Sequence, residues 1–224
     1  MRAGRAVVDR YLELIEHRVA PTLTAAGFAP FDDDLLVCEL GDVTWLVAVE
    51  LAPWTTDERL SFTLAWGVAV PGLEAVLGEG ADELPSTPAG CPIAGRLGER
   101  ANGVDAAWLT IGPVRVPGLE RAADVRTAQT FARLLSGELL PTLRLLDSIP
   151  AVQAHLVSNL VRGRGAAANG ELKSIRWIAG LSLLLGERDN ASRWLDYLEA
   201  RSSASIAPDV VSERMAPLRQ RCAS

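Results

Sequence analysis

The 224-residue chain is predicted to be an α+β protein: an antiparallel sheet of about four strands with helices packed on one face, then a C-terminal helical extension. Residues 59–70 alternate between large apolar and small side chains, the period of two that marks a strand. Two apolar runs flank Gly41-Asp42, which is typical of a β-hairpin. In the first and last parts of the chain, apolar residues recur every three or four positions, as in amphipathic helices.

The first element is predicted to be a helix over residues 5–26. Pro21 lies inside it, and we expect it to bend or restart the helix because proline lacks a backbone donor. Gly27 fits the left-handed position that ends a helix, with Phe28 folding back on the last turn.

Strands are predicted over residues 35–40, 43–51, 59–70 and 106–111. In the third of these, Leu60, Phe62, Leu64 and Trp66 face one way and are expected to enter the core. The opposite side carries small side chains, which leave room for a helix, a ligand or a partner. We expect one of the chain's own helices to cover it.

The second half of the chain has helical periodicity. Helices are predicted over residues 123–146 with a break at Pro141, and then over residues 151–161, 171–185, 190–202 and 210–221. This order favours helices packed on a sheet, and it divides the chain into an α+β domain over residues 1–148 and a helical extension over residues 149–224.

Composition argues against several classes of protein. The net charge of −6 disfavours a nucleic-acid binder. Three separated cysteines and two histidines give no zinc pattern, and their scarcity fits a reducing cytoplasm. The N-terminus carries charges too early for a signal peptide, and no apolar run reaches membrane-spanning length. We therefore expect a cytoplasmic protein without a metal or a cofactor.

Part of the chain resembles a known family. The residues that carry the resemblance are Gly27-Phe28, Trp45, the run Phe62-Thr-Leu-Ala-Trp-Gly-Val68, the segment Cys91-Pro-Ile-Ala-Gly-Arg-Leu-Gly98, and Trp108. In this order they resemble a bacterial family of domains of unknown function, catalogued as family forty-three-oh-four, over residues 8–147. The resemblance implies a small α+β domain and no activity, cofactor or catalytic residue; the C-terminal extension departs from it.

Candidate site residues fall in two groups. Cys91 lies in a loop-like region near Arg96 and Arg100, whose positive charges would lower the pKa of a thiol or hold an anion. The alternatives are a buried structural cysteine and, for the arginines, an ion pair to the acidic hairpin or a hydrogen bond to a loop carbonyl. In the second group, Trp54 follows Pro53 in a loop and could anchor an interface, or fold back onto the core.

An acidic stretch surrounds that loop. Residues 31–58 carry eight acids, including Asp57, and no lysine or arginine. Such a stretch is typical of a solvated surface, and it would also suit a basic protein partner.

Two function classes stay open on the sequence. The first is a non-catalytic protein-interaction module of accessory, adaptor or immunity type, which binds through Trp54 and Asp57. The second is a small-molecule-binding protein or enzyme, with a pocket between sheet and helices near Trp66, Cys91 and Arg96 that takes a small anionic ligand. Neither a catalytic set nor a nucleotide-binding loop is present in the sequence.

Overall fold

The structure, a computed structural model, describes residues 2–32, 35–56, 58–79, 84–98, 108–112, 120–163, 168–202 and 208–223. Its six strands are β1 (Ala29–Asp32), β2 (Leu35–Leu40), β3 (Val43–Leu51), β4 (Leu60–Ala69), β5 (Ile93–Arg96) and β6 (Leu109–Ile111). The helices are α1 (Arg2–Leu14), α2 (Ala20–Ala25), α3 (Leu73–Leu77), α4 (Glu120–Leu134), α5 (Leu140–Arg144), α6 (Ile149–Val161), α7 (Ala168–Leu184), α8 (Arg188–Ser202) and α9 (Pro208–Ala223). Two π-helical segments, π1 (Ile15–Val19) and π2 (Leu135–Leu139), join α1 to α2 and α4 to α5.

The predicted mixed fold with an antiparallel sheet is confirmed, but the expected number of about four strands is too low. The strands that were missed are β1 and β5, each of four residues. All of β1 is exposed, so it lacks the alternation of apolar and polar residues on which a sequence prediction depends. Only four residues of β5 pair with β4, which is too short a run for periodicity to show.

Strand β4 lies inside the sheet. Strands β1 to β5 follow one another in order, so β4 pairs with β3 along one edge. Its other edge is shared by β5, opposite residues 65–68, and β6, opposite residues 60–62. The backbone N–H and C=O groups along both edges of β4 are therefore hydrogen-bonded over most of its length.

One face of the sheet carries the large side chains of the main core. Trp45 pairs with Val68 and Val47 pairs with Trp66, so these four residues share a face, and all four are buried. They belong to a cluster that includes buried residues from the helices, among them Leu139 on π2. The predicted inward direction of Trp66 is confirmed.

The opposite face of β4 is also buried, and over Gly67 and Ala69 it is covered not by an α-helix, as expected, but by an irregular segment with one 3-10 turn (Pro88–Gly90). The segment that covers it runs through residues 84–91, and Leu84 and Cys91 pack there against Leu46 and Ala69. The backbone at Gly67 approaches this segment closely: a Cβ added there would lie 2.6 Å from the Pro88 carbonyl oxygen. A loop, rather than an α-helix, fits here because its backbone can approach the strand closely at Gly67, which has no side chain.

Pro21 and Pro141, the two prolines expected to interrupt helices, each lie within a continuous helical stretch. Each lies two residues after a π-helical segment, Pro21 after π1 and Pro141 after π2. In π1 the backbone N–H of Ala20 donates to the oxygen of Ile15, five residues back, and Leu140 does the same to Leu135. The wider turn accommodates a residue that has no N–H and whose ring crowds the preceding turn.

The C-terminal helices pack on the same core as the sheet. Ile178 on α7, Leu195 on α8 and Leu218 on α9 belong to the cluster that contains Trp66. The backbone N–H of Ile149, the first residue of α6, donates to Asp42 Oδ2 in the hairpin turn (3.3 Å). The boundary near residue 148 stays a prediction, since sheet and extension share one buried cluster.

Ion pairs join the helices across long stretches of sequence. Arg10 on α1 donates from both Nε and Nη2 to the Asp124 carboxylate on α4 (2.7 and 2.6 Å). The buried Arg176 on α7 pairs with Glu79 and donates to the carbonyl oxygen of Leu77 at the end of α3 (2.7 Å).

In the described part of the chain, no helix combines the length and the apolar character needed to span a membrane.

The close approach at Gly67 makes a stability prediction. We expect Gly67→Ala to lower the free energy of unfolding by about 1–3 kcal/mol, because the new methyl group overlaps Pro88 and Cys91. Urea denaturation measures this change. The matched control is Gly137→Ala in π2, where an added Cβ meets nothing within 4 Å. Equal denaturation midpoints for the two variants would contradict the packing described for the covered face.

Candidate functional site

A cavity of about 550 Å³ lies between the sheet and the helices. Its lining comes from the sheet side through Trp66 and residues 91–98, from π2 and α5, and from α6 and α7. The helices of the predicted extension therefore complete a cavity that the α+β domain begins. Its volume falls within the range of about 300–1,000 Å³ that is usual for small-molecule sites.

Two tryptophans from different parts of the chain line this cavity. Trp66 lies on β4 and Trp177 on α7, and both side chains are buried. Lys173, one helical turn before Trp177, places its Nζ 4.5 Å from the centroid of the Trp177 ring. This is a cation–π contact, and it holds the ammonium group at the edge of the cavity.

Glu138 brings a carboxyl group to the same cavity from π2. Its Oε2 atom is buried, and in the described part of the chain it has no hydrogen-bond partner. Burying a polar oxygen without a donor is unfavourable, so such an atom marks a place where a donor from outside the chain would stabilise the protein. π-Helical segments occur often at functional sites, and π2 is the element that carries Glu138.

Arg96 lines the cavity, but its guanidinium is held by Glu50. The Nε and Nη2 atoms each donate to one carboxylate oxygen of Glu50, both at 2.8 Å. Strands β5 and β3, which carry the two residues, lie on either side of β4, and the pair passes the small side chain of Ala65. The expected ion pair between Arg96 and an acid of the hairpin is therefore present.

Cys91 is a buried structural residue in this structure. Its side chain packs over Gly67 and also borders the cavity. Burial raises the pKa of the Cys91 thiol to about 12, and the negative charge of Glu74 adds to the effect. A buried thiol of this kind is a poor nucleophile, which supports the alternative of a buried structural cysteine.

The Trp54 surface lies outside the cavity lining. Trp54 is 58% exposed, and its ring meets Trp108 edge-on with the centroids 5.1 Å apart. Leu51, at the end of β3, adds another exposed apolar side chain. Asp57 and Arg100, two of the predicted site residues, lie outside the described residues.

Part of the acidic stretch is used inside the molecule. Asp42 accepts the hydrogen bond from the start of α6, and Glu50 binds Arg96. These two acids therefore have structural partners and contribute less to an acidic docking face than their charge suggests.

Several lining residues were not identified from the sequence. Glu138, Lys173 and Trp177 lie on helices, where nothing in their spacing distinguishes them from surface or core positions. Lys173 is the only lysine of the chain, a signal that could have been followed. His155 also lines the cavity, from α6.

Searches for metal sites and for relatives give no assignment. Among the described residues there is no group of three or more histidine, cysteine, aspartate or glutamate side chains that could hold a metal ion. Comparisons of the chain with protein-family models, with curated proteins and with solved structures find no match. The resemblance to a family of domains of unknown function stays a prediction.

The burial of Cys91 predicts its reactivity. With a pKa of about 12, its thiolate fraction near pH 8 is on the order of one in ten thousand. We expect iodoacetamide to alkylate the half-buried Cys222 in the folded protein and to reach Cys91 only after urea denaturation. Peptide mass spectrometry reads both sites, and Cys222→Ser is the control. Alkylation of native Cys91 as fast as Cys222 would contradict its buried position.

Proposed function

We propose that this protein binds a small organic molecule in the cavity between the sheet and the helices. The observation that carries the proposal is the set of groups that meet there: two buried tryptophans, and a buried carboxyl oxygen without a partner in the described part of the chain. Apolar walls with a few placed polar groups are the usual composition of a ligand site.

The cavity walls combine apolar and polar side chains, as a ligand site requires. Leu139 and Leu156 are buried apolar side chains, and Asn159 and Ser174 add an amide and a hydroxyl group from α6 and α7. The apolar surface provides affinity, while the polar groups orient the ligand. These side chains can contact a ligand, and the buried Cys91 thiol supplies no reactive nucleophile. We therefore propose a binding protein rather than a cysteine enzyme.

A second candidate function is protein docking at the Trp54 surface. It is favoured by the exposed Trp54 ring, which contacts the Trp108 ring edge-on, and by the exposed Leu51 at the end of β3. Large aromatic side chains of this kind are common at the centre of protein interfaces. The nearby Glu58 is exposed, which suits a basic partner.

A change that fills the cavity tests the small-molecule proposal. Ser174 lines the cavity, and its Oγ donates to the oxygen of Gly170 (2.7 Å). We expect Ser174→Phe to remove the bound molecule that wild-type protein retains after gentle purification from its own host. Native mass spectrometry detects the added mass, and extraction of the complex identifies it.

Ser136→Phe is the matched control. Ser136 also donates to the carbonyl oxygen four residues back (2.7 Å, to Ala132), but its side chain is exposed and does not line the cavity. The proposal fails if wild-type protein carries no small molecule, or if Ser174→Phe and Ser136→Phe retain it equally.

The docking candidate has a separate test. We expect Trp54→Ala to weaken capture of a basic protein partner by about tenfold or more, since anchor residues cost about 2 kcal/mol or more when truncated. Tyr197→Ala is the control, because Tyr197 is another exposed aromatic residue in edge contact with a tryptophan. Quantitative pull-down compares the three proteins. Equal capture by all of them would exclude Trp54 as the anchor.

A further inference from the structure

We propose that the ligand of this cavity is a zwitterion with a large apolar side group, of the amino-acid or short-peptide class. Its protonated amine would bind to the Glu138 carboxylate, and its carboxylate would bind to Lys173. This inference rests on the proposed small-molecule function and adds the chemical class of the ligand.

The amine is inferred from Glu138. The buried Oε2 atom needs a donor, and the described residues supply none. An ammonium group offers both N–H donors and a positive charge, and hydrogen bonds between charged partners are the stronger ones. A ligand without an N–H or O–H donor would leave this oxygen unsatisfied and would bind less tightly.

The carboxylate is inferred from Lys173. Its ammonium lies over the Trp177 ring, and among the described residues no carboxylate forms a salt bridge with it. Burial and the negative charge of Glu79 raise the pKa of the Glu74 carboxyl group, and the positive charge of Lys173 partly lowers it again. The guanidinium of Arg96, the other cation of the lining, is already bound by both oxygens of Glu50. Lys173 is therefore the cation placed to receive a ligand anion.

The apolar side group is inferred from the remaining walls. Trp66 and Trp177 are joined there by Leu97, Leu139 and Leu156, all of them buried. A cavity of about 550 Å³ has room for a ligand larger than a bare amino-acid backbone. Burial of an aromatic or branched side group against these walls would supply most of the hydrophobic free energy of binding.

Four probes with the same aromatic group separate the two charges. Phenylalanine carries both an amine and a carboxylate, phenethylamine only the amine, phenylpropionate only the carboxylate, and phenylethanol neither. Binding is followed through the indole proton–nitrogen signals of Trp66 and Trp177, assigned with Trp66→Phe and Trp177→Phe. We expect phenylalanine to bind about tenfold or more tightly than either singly charged probe, and phenylethanol to bind most weakly.

Two charge-removing variants assign each end of the ligand. Glu138→Gln keeps the shape of the side chain and is expected to weaken phenylalanine and phenethylamine by about tenfold while leaving phenylpropionate unchanged. Lys173→Gln is expected to weaken the binding of phenylalanine and phenylpropionate while leaving the binding of phenethylamine unchanged. Should Glu138→Gln fail to fold, the affinities of the four probes for wild-type protein and for Lys173→Gln still show whether the site prefers a ligand with both charges.

The outcomes distinguish this inference from the proposed function. Equal affinities of the four probes, with both indole signals shifting, would overturn the zwitterion and leave an apolar binding pocket. If no probe shifts the signals of Trp66 or Trp177 at millimolar concentration in protein freed of any retained molecule, the zwitterion with an aromatic side group is overturned, while the proposed function is decided separately by native mass spectrometry of wild-type protein and Ser174→Phe.

Discussion

The arrangement of the molecule depends on β4 being enclosed on all sides. Its backbone is hydrogen-bonded to β3 on one edge and to β5 and β6 on the other, and both of its faces are covered. Large side chains such as Trp66 therefore face the helices, and small ones such as Gly67 admit the segment that carries Cys91. The segment that carries β5, together with the neighbouring helices, lines the cavity beside the sheet.

A local irregularity in a helix places the polar group of that cavity. The wider turn of π2 precedes Pro141, which a regular helix would not accept without losing a hydrogen bond. This turn carries Glu138, whose buried oxygen has no donor among the described residues, and Leu139, which joins the core. The same pattern occurs at π1 before Pro21, where the corresponding segment carries the exposed His17 and does not contribute to the cavity between sheet and helices. The irregularity alone therefore does not make a site; its position beside β5 and α7 does.

Period-two alternation predicted β3 and β4, because each is long and buried on at least one face. It missed β1 and β5, which are too short for periodicity to show. The small side chains of β4 suggested a covering helix, whereas an irregular segment packs over Gly67 and Ala69. Trp66, Cys91 and Arg96 were placed near one pocket, and all three line the cavity. Glu138 and Lys173 were missed because convergence of side chains from π2 and α7 is a tertiary property, which local spacing along a helix does not encode.

We propose that the cavity between the sheet and the helices holds a small molecule. The most direct measurement is a high-resolution crystal structure of wild-type protein purified from its own host without extensive dialysis. We predict continuous density in the cavity that is too large for water, in contact with the Trp177 ring and within hydrogen-bond distance of Glu138 Oε2. Water alone in an otherwise unchanged cavity, or a cavity filled by movement of Trp66 or Trp177, would contradict the claim.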